Sequence, residues 1–415
     1  MQRYSAFSLV RHALSEHKHW QRAWRSPAPK PRYDAIIVGG GGHGLGTAYY
    51  LARHHNLKNI AVLERGWIGG GNTGRNTTII RSNYLQEESQ GLYELARKMW
   101  ETLSQELNYN VMFSPRGVLN LCHDEHELKG LRRRVFANQA RGVRGEFLTP
   151  REVKQFCPPM RVDCPRLPVV GASLQRNAGT ARHDAVAWGY ARAADRLGVD
   201  IIENCTVNGF DIRDGAVRGV RTTRGDIAAP KVALVPAGHA GVLANLAGFR
   251  LPIESRPLQA LVSEPVKPCL DTVVMSGAIH GYVSQSDKGE LVIGGGADSY
   301  NGYSQRGSPH VLAGSIAAVC HLFPQFRRLR MLRSWGGVVD IAPDASAILS
   351  AAPVGGIYVN CGWGTGGFKA TPGSAFAFAH LVAKGEPHLK GRAFTLARFA
   401  TGRLIDEHSA AAVAH

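Results

Sequence analysis

The sequence predicts an α/β fold in two parts. One is a discontinuous unit on a parallel sheet, and the other is an inserted unit containing an antiparallel sheet. Three observations predict it. Residues 34–54 (DAIIVGGGGHGLGTAYYLARH) pass from a short apolar run through a glycine cluster into a pattern of helical period. Further short apolar runs follow far apart in the chain, at Asn59–Leu63, Val232–Val235 and Ile357–Asn360, each read as a buried strand. Between the last two lie Thr272–Met275, Tyr282–Ser284 and Leu291–Ile293, short strands of an antiparallel kind.

In the first stretch Ala35–Val38 is the strand, and Gly39, Gly41 and Gly44 fit G-x-G-x-x-G. The first glycine permits a tight turn, the second lets backbone approach a pyrophosphate, and the third lets helix pack on strand. An anion there would sit on a helix N-terminus, where free N–H groups and the helix dipole favour negative charge. Glu64 ends the next strand, 20 residues after Gly44, where an acid takes the ribose hydroxyls of an adenine dinucleotide. Strand, turn, helix, strand and acid in register identify a Rossmann-type unit. A second glycine-rich loop, Trp67–Arg81, follows and is dense in Asn, Thr and Arg. A loop of that length can wrap a pyrophosphate and lie against a large flat ring, which shifts the expected cofactor from NAD to FAD.

The remaining elements follow in order. Residues 84–108 read as one helix with Tyr93, Ala96, Trp100 and Leu103 on a face. Val111–Cys122 reads as strand, 124–141 as a basic helix, and Thr149-Pro150-Arg151-Glu152 as a helix start. Asp184 lies near the start of another helix, after the segment 169–183. Val199–Val207 and Val217–Thr222 are strands, and 311–323 is a helix. Near the end, Trp335-Gly336-Gly337 precedes Asp340-Ile341-Ala342-Pro343-Asp344. Strand Ile357–Asn360 then feeds a glycine loop and an apolar helix, 374–384. The expected division is a basic arm (1–32), a cofactor domain (33–112, 172–246 and 333–392), an inserted domain (113–171 and 247–332) and a C-terminal tail (393–415).

Composition bounds the rest. The chain has 415 residues, 44% hydrophobic and 20% charged, which is the composition of a globular protein of two or three domains. No apolar run is long enough to span a bilayer. A net charge of +17 points to anionic ligands or an acidic partner subunit. Neither zinc-ligand spacing nor a basic heptad helix supports a nucleic-acid partner or a metal. The seven cysteines lack CxxC spacing, which suits a reducing, cytoplasmic compartment without disulfides. The basic arm has no h-region of a secretory signal. Its Arg-rich, acid-poor character is shared with transit peptides, the alternative to an arm lying on this subunit or a neighbour. His17 and His19 on it have no metal partner.

The motifs together resemble the D-amino acid oxidase/sarcosine oxidase flavoenzymes: G-x-G-x-x-G at 39–44, the loop at 69–81, D…PD at 340–344 and GWGTGGFK at 362–369. A closer resemblance, covering the whole chain, is to the beta-subunit family of heterotetrameric sarcosine oxidases. It is carried by MQRYS at the start, GGGNTGRNTTIIRSNY, ARHDAVAWGYARA, LQALVSEP, HGYVSQSDKGELVIGGG, CGWGTGGFKATPG and LIDEHSAAAVAH. That resemblance implies oxidative demethylation of sarcosine to glycine and hydrogen peroxide. The one-carbon unit is released as formaldehyde or captured by tetrahydrofolate as methylenetetrahydrofolate. It also implies noncovalent FAD that takes the hydride and passes electrons to covalent FMN and then oxygen. The partners it implies are an alpha subunit carrying NAD, with gamma and delta subunits.

Residue by residue, His183 in ARHD matches the FMN-linked histidine. His280, Lys369 and Arg333 match positions around FMN. Gly41, Gly42, Glu64, Asn72, Arg75, Thr77 and Ile80 match FAD-wrapping positions, Val207 an adenine contact, and Gly364 and Gly367 contacts to the flavin ring. Arg81 and Lys369 match the pair that holds the substrate carboxylate in monomeric relatives, a task suited to an arginine fork supplemented by an ammonium. The flavin-tethering cysteine of those relatives aligns near Gly337 and their oxygen-activating lysine at Leu291 or Val292, so FAD here is expected to be untethered. The alternatives are a dehydrogenase or oxidase of another N-methyl or secondary amino acid, and a flavin-carrying assembly subunit inactive alone.

Overall fold

The computed structural model describes residues 5–16, 18 and 22–408. Parts of the quoted motifs MQRYS and LIDEHSAAAVAH, and His17 and His19, lie outside them. A six-stranded sheet forms the centre of one unit. Its order is Ile348–Ala351, Ile357–Cys361, Val232–Leu234, Ala35–Val38, Ile60–Leu63, Asp200–Ile202. All neighbours are parallel except the first pair. Successive residues of the strands face opposite cores, as a pleated strand requires. Ile37, Ile60 and Val62 face helices Gly42–His54, His183–Arg196, Glu87–Glu106 and Gly367–Lys384. Ile36, Val38 and Leu63 face a three-stranded antiparallel sheet, Val207–Ala228, and helix Ala240–Leu246.

The second unit is an eight-stranded sheet ordered Met331–Ile341, Glu254–Pro265, Glu290–Ala297, Gly281–Gln285, Val273–Ser276, Val118–Cys122, Gly171–Gln175, Glu146–Leu148. It is antiparallel apart from the pair Val273–Ser276 and Val118–Cys122. Helices Pro150–Phe156 and Pro309–Leu322 cover one face. The start of the first is fixed by a capping box between Thr149 and Glu152.

Several elements differ from the sequence reading. Strand Val118–Cys122 starts seven residues later than expected, because Met112 and Gly117 take positive φ of 55° and 87° and Pro115 lies between them. Val199–Val207 splits at Asn204 (φ 53°) between two different sheets. The C-terminal apolar helix begins at Gly367, so much of the expected glycine loop is its first turns. The two longest strands, Glu254–Pro265 and Met331–Ile341, were not expected as strands. Pairing puts Gly171–Gln175 and Met331–Ile341 in the eight-stranded sheet, whereas the expected division gave most of both to the cofactor domain. An apolar strand pattern does not reveal which neighbour it pairs with.

The arm carries an exposed helix, Ala6–Leu14. Further on, Arg25 and Lys30 pair with Asp195 (2.7 Å) and Asp200 (2.6 Å), which holds that segment on the parallel sheet's edge. Among the described residues no helix is long and apolar enough to cross a membrane.

Candidate active site

Strand Ala35–Val38 ends in Gly39, whose φ of +121° and whose approach to Val235 O (2.4 Å from where a Cβ would stand) admit only glycine. At Gly44 a Cβ would lie 2.0 Å from Gly39 O, so this glycine sets how closely helix meets strand. Helix Gly42–His54 therefore starts at the sheet's C-terminal edge, with Gly41 as an N-cap that brings no side chain of its own. Its first turn opens on a cleft that runs between the two units.

The cleft has two lobes that share Gly39, Glu64, Gly71, Asn72 and Arg75. Glu64 accepts the N–H of Gly40 (2.8 Å) and of Gly66 (2.9 Å), which fixes its carboxylate where the lobes meet. Val207 lines the outer lobe, with Trp67 and His239. Gly41, Gly42, Thr77, Gly364, Gly367, Arg81 and Lys369 line the inner one. The second glycine loop is the wall between: Asn72 donates to Val338 O, Thr73 Oγ1 accepts Gly42 N–H (3.0 Å), and Trp335 Nε1 donates to Arg75 O (2.7 Å). Ile80 does not line the cleft. It is fully buried in the short strand Ile79–Ile80, paired with Gly179–Thr180.

Arg81 and Lys369 are 3% and 7% exposed. Arg81 Nη1 donates to Asn83 Oδ1 (2.8 Å), and its guanidinium lies 4.6 Å from the centre of the Tyr84 ring. Lys369 Nζ donates to Thr365 O (2.8 Å). Burial, and then the charge of Arg81, push the Lys369 ammonium well below the usual lysine range. An anion in the lobe that both line would favour the charged form of each.

Two further groups of the cleft were missed by the sequence reading. His43 is held neutral, its pKa lowered to about 4 by burial. Asp340 is 2% exposed and accepts the N–H of Gly362 (2.6 Å), and burial raises its pKa to about 7. Both residues stood inside quoted motifs. No local signal set them apart, since their partners are remote in the chain.

His183 opens helix His183–Arg196 and lines a separate cavity of about 650 Å³, with Arg182, Lys288, Arg333 and Trp335. Its Nε2–H donates to Gly74 O (3.1 Å), which leaves the lone pair on Nδ1. That Nδ1 is buried without a hydrogen-bond partner. Burial lowers the pKa of the ring, opposed by Asp184. Residues 75–78 line both this cavity and the cleft. His280 does not join them. It sits exposed on the hairpin turn before Gly281–Gln285, at the end of that strand away from Ser286 and Asp287 of the cavity.

The fit to a flavin dinucleotide rests on this geometry: a helix N-terminus whose glycine N-cap brings no side chain, a glycine turn that a Cβ would block, and a long cleft with amide and hydroxyl donors. Comparison with known proteins agrees. The family model described as FAD dependent oxidoreductase matches residues 34–381. The sarcosine oxidase subunit beta of Rhodobacter capsulatus is 59% identical over 415 residues, covering 100% of both chains. That of an Arthrobacter species is 58% identical over 400 residues, covering 96% of this chain and 98% of the relative. Among solved structures, L-proline dehydrogenase from P. horikoshii superposes with a TM-score of 0.85 at 25% identity, over 91% of this chain and 100% of that one. The chain therefore belongs to the FAD-dependent oxidoreductases and, within them, to the family of sarcosine oxidase beta subunits.

Proposed function

We propose that the chain is the flavin-bearing subunit of a multi-subunit sarcosine oxidase and that its cleft seats sarcosine against FAD. The observation that carries this reading is the pair of buried cations, Arg81 and Lys369, lining one lobe beside the dinucleotide turn. A small amino acid brings the carboxylate such a pair requires, and an arginine fork orients it. Burial of the lobe disfavours an ammonium, so the substrate amine is held neutral, the form that can be oxidised. Gly41, Gly42, Glu64, Asn72, Arg75 and Val207 hold the dinucleotide, and Gly364 and Gly367 border its ring. His183 is the attachment point for FMN, through the Nδ1 that its bond to Gly74 leaves unprotonated. Lys369 and Arg333 border the two flavins, and His280, on its exposed turn, is kept only as a surface contact to the FMN side. The chemistry the flavins supply is acceptance of two electrons from the carbon beside the amine and their delivery to oxygen, which yields glycine, hydrogen peroxide and formaldehyde or, with tetrahydrofolate, methylenetetrahydrofolate.

The partners are an alpha subunit that closes the His183 cavity and carries NAD, with gamma and delta subunits. The basic surface suits an acidic partner. The compartment proposed is the cytoplasm. The division into cofactor domain, inserted domain, basic arm and tail is kept, with strands Gly171–Gln175 and Met331–Ile341 assigned to the inserted domain's sheet. The test is anaerobic mixing of the purified oxidase with sarcosine and, separately, with proline. Sarcosine should bleach the visible flavin absorbance at far lower concentration. Preferential bleaching by proline would transfer the chain to the proline dehydrogenase activity of its structural relative.

A further inference from the structure

The C-terminal motif has no part in the function above, yet its side chains alternate. Ile405 and Glu407 are 6% and 1% exposed, while Leu404, Asp406 and His408 face solvent. The tail is pinned by Asp344. Asp344 Oδ2 accepts the N–H of Ile405 (3.1 Å), and its backbone carbonyl accepts that of Glu407 (3.1 Å). Asp344 is itself clamped in the core by Arg398, through Nε at 2.8 Å and Nη2 at 2.9 Å. These bonds fix the register of the tail and drive one carboxylate inward. Glu407 accepts the N–H of Gln86 (2.8 Å) and of Leu85 (3.3 Å), at the start of helix Glu87–Glu106.

That helix has no side-chain cap of its own. A residue 321 positions away takes the N–H of the N-cap residue Gln86, the group that a local N3 Glu would take in a capping box. The capped segment matters, because it is the C-terminal end of the stretch that carries Arg81. Tyr84 lies under the Arg81 guanidinium and stacks on Tyr93 of the same helix, with centroids 3.9 Å apart at 10°. Asn83 accepts from Arg81, and Ser82 donates to Glu94 (2.6 Å). The segment is thus tied along its length, and Glu407 holds its last two amides.

We infer that Glu407 is a positioning residue for the carboxylate-binding site: by fixing Leu85 and Gln86 it sets how the Arg81–Tyr84 segment presents its guanidinium to the cleft. The inference rests on the reading of Arg81 as the holder of the substrate carboxylate. The test uses the assembled oxidase and measures KM for sarcosine, kcat, and inhibition by acetate in Glu407→Ala, Glu407→Gln and Arg81→Ala. Glu407→Ala should raise KM and weaken acetate inhibition about tenfold, with kcat falling far less. Glu407→Gln keeps an acceptor for Gln86 and should recover most of the loss. Wild-type KM and acetate inhibition in Glu407→Ala, while Arg81→Ala loses acetate binding, overturn the inference and leave the reading of Arg81 standing. Unchanged acetate inhibition in Arg81→Ala overturns that reading itself. Should Glu407→Ala not fold, Glu407→Asp, one methylene short, decides. A raised KM at near-constant kcat supports the positioning role, and a wild-type KM overturns it.

Discussion

His43 Nε2 donates a hydrogen bond of 2.8 Å to the carbonyl oxygen of Gly367, and so ties the dinucleotide turn to a glycine loop 324 residues further on. The bond belongs to a chain of donors with one direction. Trp363 Nε1 donates to Asn360 Oδ1 (2.6 Å), Asn360 Nδ2 to Ser374 Oγ (3.0 Å), and Ser374 Oγ to His43 Nδ1 (2.9 Å). Each group is satisfied only if the imidazole is neutral and protonated on Nε2. The two loops that border the cleft are therefore held at a fixed separation.

His43→Ala should weaken FAD retention about tenfold by leaving Ser374 and Gly367 without their partner. Fluorescence titration of the flavin-free chain measures it. The pH dependence has a definite sign. The pKa is lowered from 6.5 to about 4, so the native state disfavours the proton. His43 contributes stability in full above pH 6.5, and loses it as pH falls through 4. Thermal unfolding across that window should be steeper in pH for wild type than for His43→Asn.

His183→Ala should abolish flavin that remains with acid-precipitated protein, while FAD is still released into the supernatant. Intact mass and flavin identification read both. Retention of a covalent flavin by the variant would make His183 an ordinary helix-start histidine.

How much of this was legible in the sequence depends on the range of each interaction. The strand, turn and helix at 35–54 were legible, because glycines and apolar spacing act within a few residues. Glu64 was legible by distance along one βαβ unit. Strand Glu254–Pro265 was not, because Pro257 breaks its pattern and its pairing partners, Glu290–Ala297 and Met331–Ile341, lie further along the chain. Strand Met331–Ile341 contains Gly336 and Gly337, which pair in the sheet but carry no side chains to show a strand's alternation. His43, Asp340 and Glu407 are bonded to groups remote in the chain, at Gly367 and Ser374, at Gly362, and at Gln86. No window of sequence contains both partners.

Asp340 offers a stability test of opposite sign. Burial raises its pKa from 3.8 to about 7, so the native state favours the proton. Its contribution is present below pH 3.8 and is lost as pH rises through 7. Asp340→Asn keeps an acceptor for Gly362 and removes the charge. The variant should gain stability over wild type above pH 7 and gain little near 3.8, by thermal unfolding. An equal difference at both ends would mean that the carboxyl is not buried as described.

The role proposed for Arg81, with Lys369, is to seat a carboxylate against the flavin. Acetate titration of the visible flavin spectrum tests it most directly, in wild type and Arg81→Ala. The variant should bind acetate about 2–4 kcal/mol more weakly, the scale of a lost buried charge-assisted contact. Lys369→Met should show a smaller loss. A wild-type dissociation constant in Arg81→Ala would move the substrate site elsewhere in the cleft and leave Arg81 without that role.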